Sequence, residues 1–112
     1  MNHEVIKLIQ DIFDSIVIIE VHLNNIPTLA IYKEDIKTVD AVERRLSIIG
    51  EALWKADKKD KTLNISNKAR IISLRHILVH DYDLIEDATI WMICKKNIPI
   101  LKNEVQSILG IT

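Results

Sequence analysis

From Val5 to Leu23 the apolar residues Val5, Ile9, Ile12, Ile16, Ile19 and Leu23 recur in alternating steps of four and three. A helix places such a series on one face, because about 3.6 residues complete a turn. The first element is therefore a packed helix. Ile6, Phe13 and Val17 form a second apolar line beside the first, which is more apolar surface than one neighbouring helix covers, and a second subunit is one candidate for the surplus. The segment 19–23 also alternates like a strand, but it continues the helical phase without interruption. Composition points the same way. The chain has 112 residues with two glycines and two prolines, whereas an all-β domain of that length needs many tight turns. Its abundant isoleucine favours strands by propensity, so periodicity arbitrates, and it selects helix.

The same reading continues along the chain. Residues 24–28 form a break, since Pro27 disfavours helix at Ile26 and Thr28 can cap a new short turn. A second main helix is expected from about Thr38 to Ala56, with Val42, Leu46, Ile49 and Leu53 on one stripe. Gly50 lies inside it. A mid-helix glycine costs about 1 kcal/mol relative to alanine, and it is tolerated where another backbone crosses closely or on an exposed face. Residues 58–65 read as a polar loop, Ser66 or Asn67 as the cap of a third helix starting near Lys68, and Ile71, Leu74 and Leu78 as its inward stripe. That helix ends around residues 81–83, and the next is capped near Glu86 or Asp87. Ile90, Cys94, Ile98, Leu101, Val105 and Ile108 then hold one face across Pro99, which predicts one kinked helix rather than two. The expected fold is all-α, one domain over residues 1–112: an antiparallel bundle of four main helices, a short extra helical turn around 28–35, and a last helix kinked at Pro99.

Cys94 is the sole cysteine, so no internal disulfide forms, no Cys/His spacing resembles a zinc site, and a reducing cytoplasm is the expected location. Glu4, Lys7, Asp11 and Asp14 interrupt the apolar residues at the start, unlike a signal-peptide core, and no apolar run reaches membrane-spanning length, so no membrane partner is expected. Net charge is −1, yet its distribution is uneven. Between residues 55 and 76 seven cations face two carboxylates, a local balance of +5 that leaves −6 for the rest. A charge run of this kind is usually a solvated loop; its sharper reading is a nucleic-acid contact, for which Lys68 and Arg70 are the candidates.

The chemistry-bearing run is Arg75-His76-Ile77-Leu78-Val79-His80-Asp81-Tyr82. On an ideal helix Arg75 lies within about 60° of the Leu78 stripe, and His76 and His80 stand one turn apart on the other side. A guanidinium so placed must meet a carboxylate, a phosphate or a subunit boundary. An inter-helix salt bridge to Glu43, Glu51 or Asp81 is the plain structural alternative. For His80 the plain alternatives are a surface ring or a helix-end cap; the chemical one is a proton shuttle beside an arginine that holds a phosphate, an arrangement suited to RNA cleavage without a metal. A metal site of His76, His80, Asp81 and Asp83 is disfavoured, because position 77 is isoleucine where a zinc-protease helix carries glutamate. Trp54 and Trp91 read as core or rim, and Cys94 as buried.

Arg75, His80 and Tyr82 form an R-x-x-x-x-H-x-Y pattern that resembles the motif of the HepT family within the HEPN ribonuclease superfamily. Asp40-Ala41-Val42 with Arg45, Leu46 and Ile48-Ile49-Gly50-Glu51-Ala52 resembles the family's second block. Val79-His80-Asp81-Tyr82, Trp91 and Pro99-Ile100-Leu101 resemble its C-terminal half, so the likeness runs from about residue 4 to 109. Where many members carry asparagine after the arginine, this chain has His76, which enters as a supporting residue. The resemblance implies a HEPN-like bundle that forms a homodimer with one composite cleft, metal-independent cleavage of RNA by Arg75 and His80, and no cofactor. It further implies a toxin whose partner is a nucleotidyltransferase antitoxin of the MntA type, which transfers AMP to Tyr82. The alternative functions are a non-catalytic subunit that presents nucleotide or substrate to a minimal nucleotidyltransferase, and a purely structural helical dimer.

Overall fold

A computed structural model describes residues 1–111, with Tyr82 described through its backbone alone. Helix α1 (His3–Leu23) starts where Asn2 accepts hydrogen bonds from the Glu4 and Val5 amides at 2.6 and 3.3 Å, satisfying two of the amides that a helix start leaves open. Its predicted seam is buried along its whole length, Val5 through Leu23, while Ile6 and Val17 of the second apolar line stay exposed. Short α2 (Leu29–Glu34) is capped by Thr28, as the break predicted, and sinks Tyr32 into the core.

Helix α3 (Ile36–Lys59) is longer at both ends than the predicted 38–56. Asp35 caps it through the Thr38 amide at 3.1 Å, which moves the start upstream. At the other end Lys58 and Lys59 oppose the negative pole of the helix dipole. Val42, Leu46, Ile49 and Leu53 face the core as expected. The connection over residues 60–67 is not merely polar, because it buries Leu63 and Ile65. Lys68 ties it down by donating to Asp57 at 2.8 Å and to the Leu63 carbonyl at 3.2 Å.

The predicted cap of α4 (Lys68–His80) is corrected. Asn67 precedes the helix in the left-handed region at φ 61°, and its side chain makes no capping bond. The amide and hydroxyl of Ser66 instead donate to Glu104, both at 2.9 Å, fastening the loop to the last helix. Ile71, Leu74 and Leu78 are buried, and among the described residues α4 packs chiefly against α3.

After a 3-10 turn at Tyr82–Leu84, α5 (Asp87–Met92) passes through a π-helical turn (Ile93–Asn97) into α6 (Ile98–Leu109). The distortion expected at Pro99 thus occupies the turn just before it, where the Ile98 amide reaches back five residues to the Ile93 carbonyl. A widened turn spares the chain the clash that proline makes with a regular preceding turn. The apolar face still runs continuously through Ile90, Cys94, Ile98, Leu101 and Val105. The architecture is all-α: α1, α3, α4 and the α5–α6 rod form a four-helix bundle, with α2 as the short extra element. The closest-knit pairing is α1 on α3, followed by α3 on α4. No strand occurs among the described residues, and no described helix is long and apolar enough to cross a membrane.

Candidate functional site

The site begins with a missing side chain. A Cβ on Gly50 would lie 2.2 Å from Arg75 Cβ and 3.1 Å from the Ile71 carbonyl, so glycine is what lets α3 and α4 approach this closely. The close crossing, and not the exposed accident, explains the glycine. Arg75 leans over this notch, and its Nη2 meets Glu51 Oε2 at 2.5 Å. Of the three carboxylates that the sequence left open, Glu51 is the partner. Its other oxygen takes Lys55 at 3.5 Å. Arg75 and Glu51 each remain 32% exposed, so the pair is neither sealed in the core nor fully solvated.

His76 and His80 lie on the open side of α4, both exposed, with ring centroids 4.7 Å apart. The two imidazoles thus lie on the exposed side of α4, as predicted, although His76 also borders a cleft with Arg75. The Arg75–Glu51 pair forms the wall between two clefts. One, of about 350 Å³, is bounded by Leu8, Arg44, Ser47, Lys55 and Val79 together with the pair. The other, of about 400 Å³, is bounded by Trp54, Ile72 and His76 together with the pair. Sequence reasoning assigned Trp54 no functional role, and it named Glu51 only as a possible salt-bridge partner of Arg75 and within the second family block. Their positions relative to Gly50, four residues on for Trp54 and one for Glu51, are the signal that could have found them, since the residues flanking a close helix crossing must face or flank the neighbour.

The basic segment is less open than its composition suggests. Lys59 pairs with Glu4 at 2.6 Å, and Lys61 and Lys68 both reach Asp57. The Lys68 hydrogen bond holds the Asp57 carboxyl below the usual carboxylate range. Lys68 thus closes the loop before α4, whereas Arg70 is exposed on α4 itself. Tyr82 starts the 3-10 turn after α4, and its side chain lies outside the described residues. Among the described residues no three His, Cys, Asp or Glu side chains gather as a metal site would require. Trp91 is half-buried with its ring 5.5 Å from that of Tyr32. Cys94 is buried, and burial pushes its thiol up to about 12.

A family model described as ribonuclease HepT-like matches residues 4–108. The chain belongs to the HepT-like ribonuclease family. Its resemblance motif falls on α4 and the turn that follows, and its second block falls on the part of α3 that carries Gly50 and Glu51. The Putative RNase MJ1380 of Methanocaldococcus jannaschii is 40% identical over 68 residues, covering 59% of this HepT-like chain and 62% of that protein. The alignment thus spans about three fifths of that relative. No solved structure gives a significant match.

Proposed function

We propose that this chain is an RNA endonuclease, the toxin of a toxin–antitoxin pair. The observation that carries the reading is the family motif: Arg75 and His80 stand on one exposed helix, with open clefts on both sides of the arginine. In the proposed reaction His80 removes the proton of a ribose 2′-hydroxyl, whose oxygen attacks the adjacent phosphorus. The bond from phosphorus to the 5′-oxygen breaks, leaving a 2′,3′-cyclic phosphate and, once the leaving oxygen is protonated, a 5′-hydroxyl. Arg75 stabilises the charge that builds on the phosphoryl oxygens, because a guanidinium matches two of them at once. To do so it exchanges Glu51 for the phosphate. His76, beside His80, supports the site, Arg70 is a further RNA contact, and Lys68 contributes by holding the entry to α4. No metal takes part in this scheme.

The open side of α4 suits association with a second copy, which would bring two motifs into one cleft; exposed Ile6, Val17 and Val79 offer apolar surface for it. Regulation follows the same chemistry. An adenylyl group on Tyr82, supplied by a nucleotidyltransferase antitoxin of the MntA type, adds bulk and a negative phosphate two residues after His80 and excludes the RNA phosphate.

Expression of the chain alone tests the activity. Growth arrest and RNA degradation are expected from the wild type and not from His80→Ala; equal toxicity of the two would remove His80 from the mechanism. Co-expression with the nucleotidyltransferase followed by intact-mass analysis should show adenylyl mass that Tyr82→Phe abolishes.

A further inference from the structure

We infer that Trp54 is a nucleobase-stacking subsite for single-stranded RNA, placed beside the Arg75–His76 cleft; the inference rests on the ribonuclease reading above and adds where the substrate lies. The first observation is exposure. A tryptophan is usually largely covered in a folded domain, but Trp54 is 44% exposed, on the half of α3 that crosses α4.

Position is the second. Trp54 bounds two clefts at once: the one with Arg75, His76 and Ile72, and a neighbouring one of about 450 Å³ with Lys55, Lys58 and Lys59. The indole is thus the shared wall between the expected reaction centre and a group of three lysines. From Glu51 to Lys59 this stretch covers about 12 Å of helix at 1.5 Å per residue.

The third observation is the ring's own environment. Lys58 Nζ lies 4.3 Å from the Trp54 ring centroid, so one face of the indole is braced by a cation. A flat aromatic group flanked by cations is the combination that binds single strands: bases stack on the ring while lysines neutralise phosphates. Lys55 and Lys59 are held by Glu51 and Glu4 in partly exposed pairs. Such pairs are weak, and RNA phosphates can displace the carboxylates. A buried protein partner would need the lysines desolvated, whereas an RNA backbone meets them while they remain wet. The subsite therefore accepts a base next to the scissile phosphate, and the lysine cleft carries the strand onward.

The test uses non-cleaving full-length protein, His80→Ala, and a fluorescein-labelled short single-stranded RNA read by anisotropy. Adding Trp54→Ala should raise Kd about tenfold, within the range of base–aromatic stacking, and Trp54→Phe should recover most of the loss. In protein that carries Trp91→Phe, the fluorescence of the remaining Trp54 should be quenched as RNA binds. Unchanged Kd with Trp54→Ala, a phenylalanine variant as poor as alanine, or unquenched fluorescence each overturns the subsite. So does a changed oligomeric state with unaltered RNA affinity, which would make this face a contact between copies. Wild-type protein cleaving RNA in any of those cases leaves the ribonuclease reading standing, whereas absence of cleavage by wild type removes both.

Discussion

At the level of single residues the arginine is held by one carboxylate, that of Glu51. Arg75 and Glu51 are one third exposed and 2.5 Å apart, so solvent screens the pair and its net contribution to stability is no more than about 1 kcal/mol. A phosphate can therefore compete for the guanidinium. We predict that Glu51→Gln leaves the thermal midpoint nearly unchanged and lowers KM for RNA in a steady-state cleavage assay, because a competing anion is gone; a raised KM would assign Glu51 to substrate binding instead. Cys94 offers an independent check on the core. Its thiol is buried and pushed up to about 12, so at pH 8 it remains protonated and unreactive. Intact mass after treatment with iodoacetamide should show no adduct on native protein and one adduct after denaturation. The burial of Cys94 was legible in the sequence, because one stripe continues from Ile90 through it to Leu101. The choice of Glu51 over Glu43 or Asp81 was not, since periodicity gives the face of one helix but not the rotation of two helices against each other. Trp54 was passed over because a tryptophan in a chain with so few aromatics reads first as core or rim, and periodicity does not give its 44% exposure.

At the level of elements, the α3–α4 crossing sets the site. Gly50→Ala would place a methyl carbon 2.2 Å from Arg75 Cβ, a backbone-anchored atom that cannot swing away. The helices must then separate. We predict a loss of about 1–3 kcal/mol in denaturant unfolding, the usual cost of overpacking, together with weaker RNA cleavage. Full stability would mean that the crossing is looser than described. The loop entering α4 depends on Asp57, whose carboxyl is held below its ordinary range chiefly by its hydrogen bond to Lys68. A depressed folded-state value means stability that is present above the unfolded value, 3.8 for a free aspartate, and lost as pH falls through the lower folded one. Asp57→Asn should flatten the acid limb of the stability curve relative to wild type. The sequence located every main helix, but it placed boundaries less well. Asp35 captures α3 early, Asn67 turns left-handed instead of capping, and the strain of Pro99 is absorbed one turn upstream. Each of these depends on local geometry that hydrophobic phase does not encode.

On the scale of the whole molecule, α1, α3 and the α5–α6 rod supply a continuous core from Val5 to Val105, and α4 lies against it with one side open. The rigid part of the bundle therefore holds the Glu51 side of the site, and the motif helix presents Arg75 and His80 outward. This arrangement suits the proposed functions, in which the same surface meets RNA, a second copy and a modifying partner. The bundle was readable from apolar phase because packing dominates its energetics. The chemistry was readable only as a motif, because an exposed histidine carries no packing signal. The proposed reaction has a distinctive product. Purified wild-type protein, incubated with RNA in the presence of a chelator, should yield fragments ending in 2′,3′-cyclic phosphate and beginning with 5′-hydroxyl, and Arg75→Ala and His80→Ala should yield at least a hundredfold less. Fragments with 5′-phosphate ends, or wild-type yields from both variants, would contradict the account.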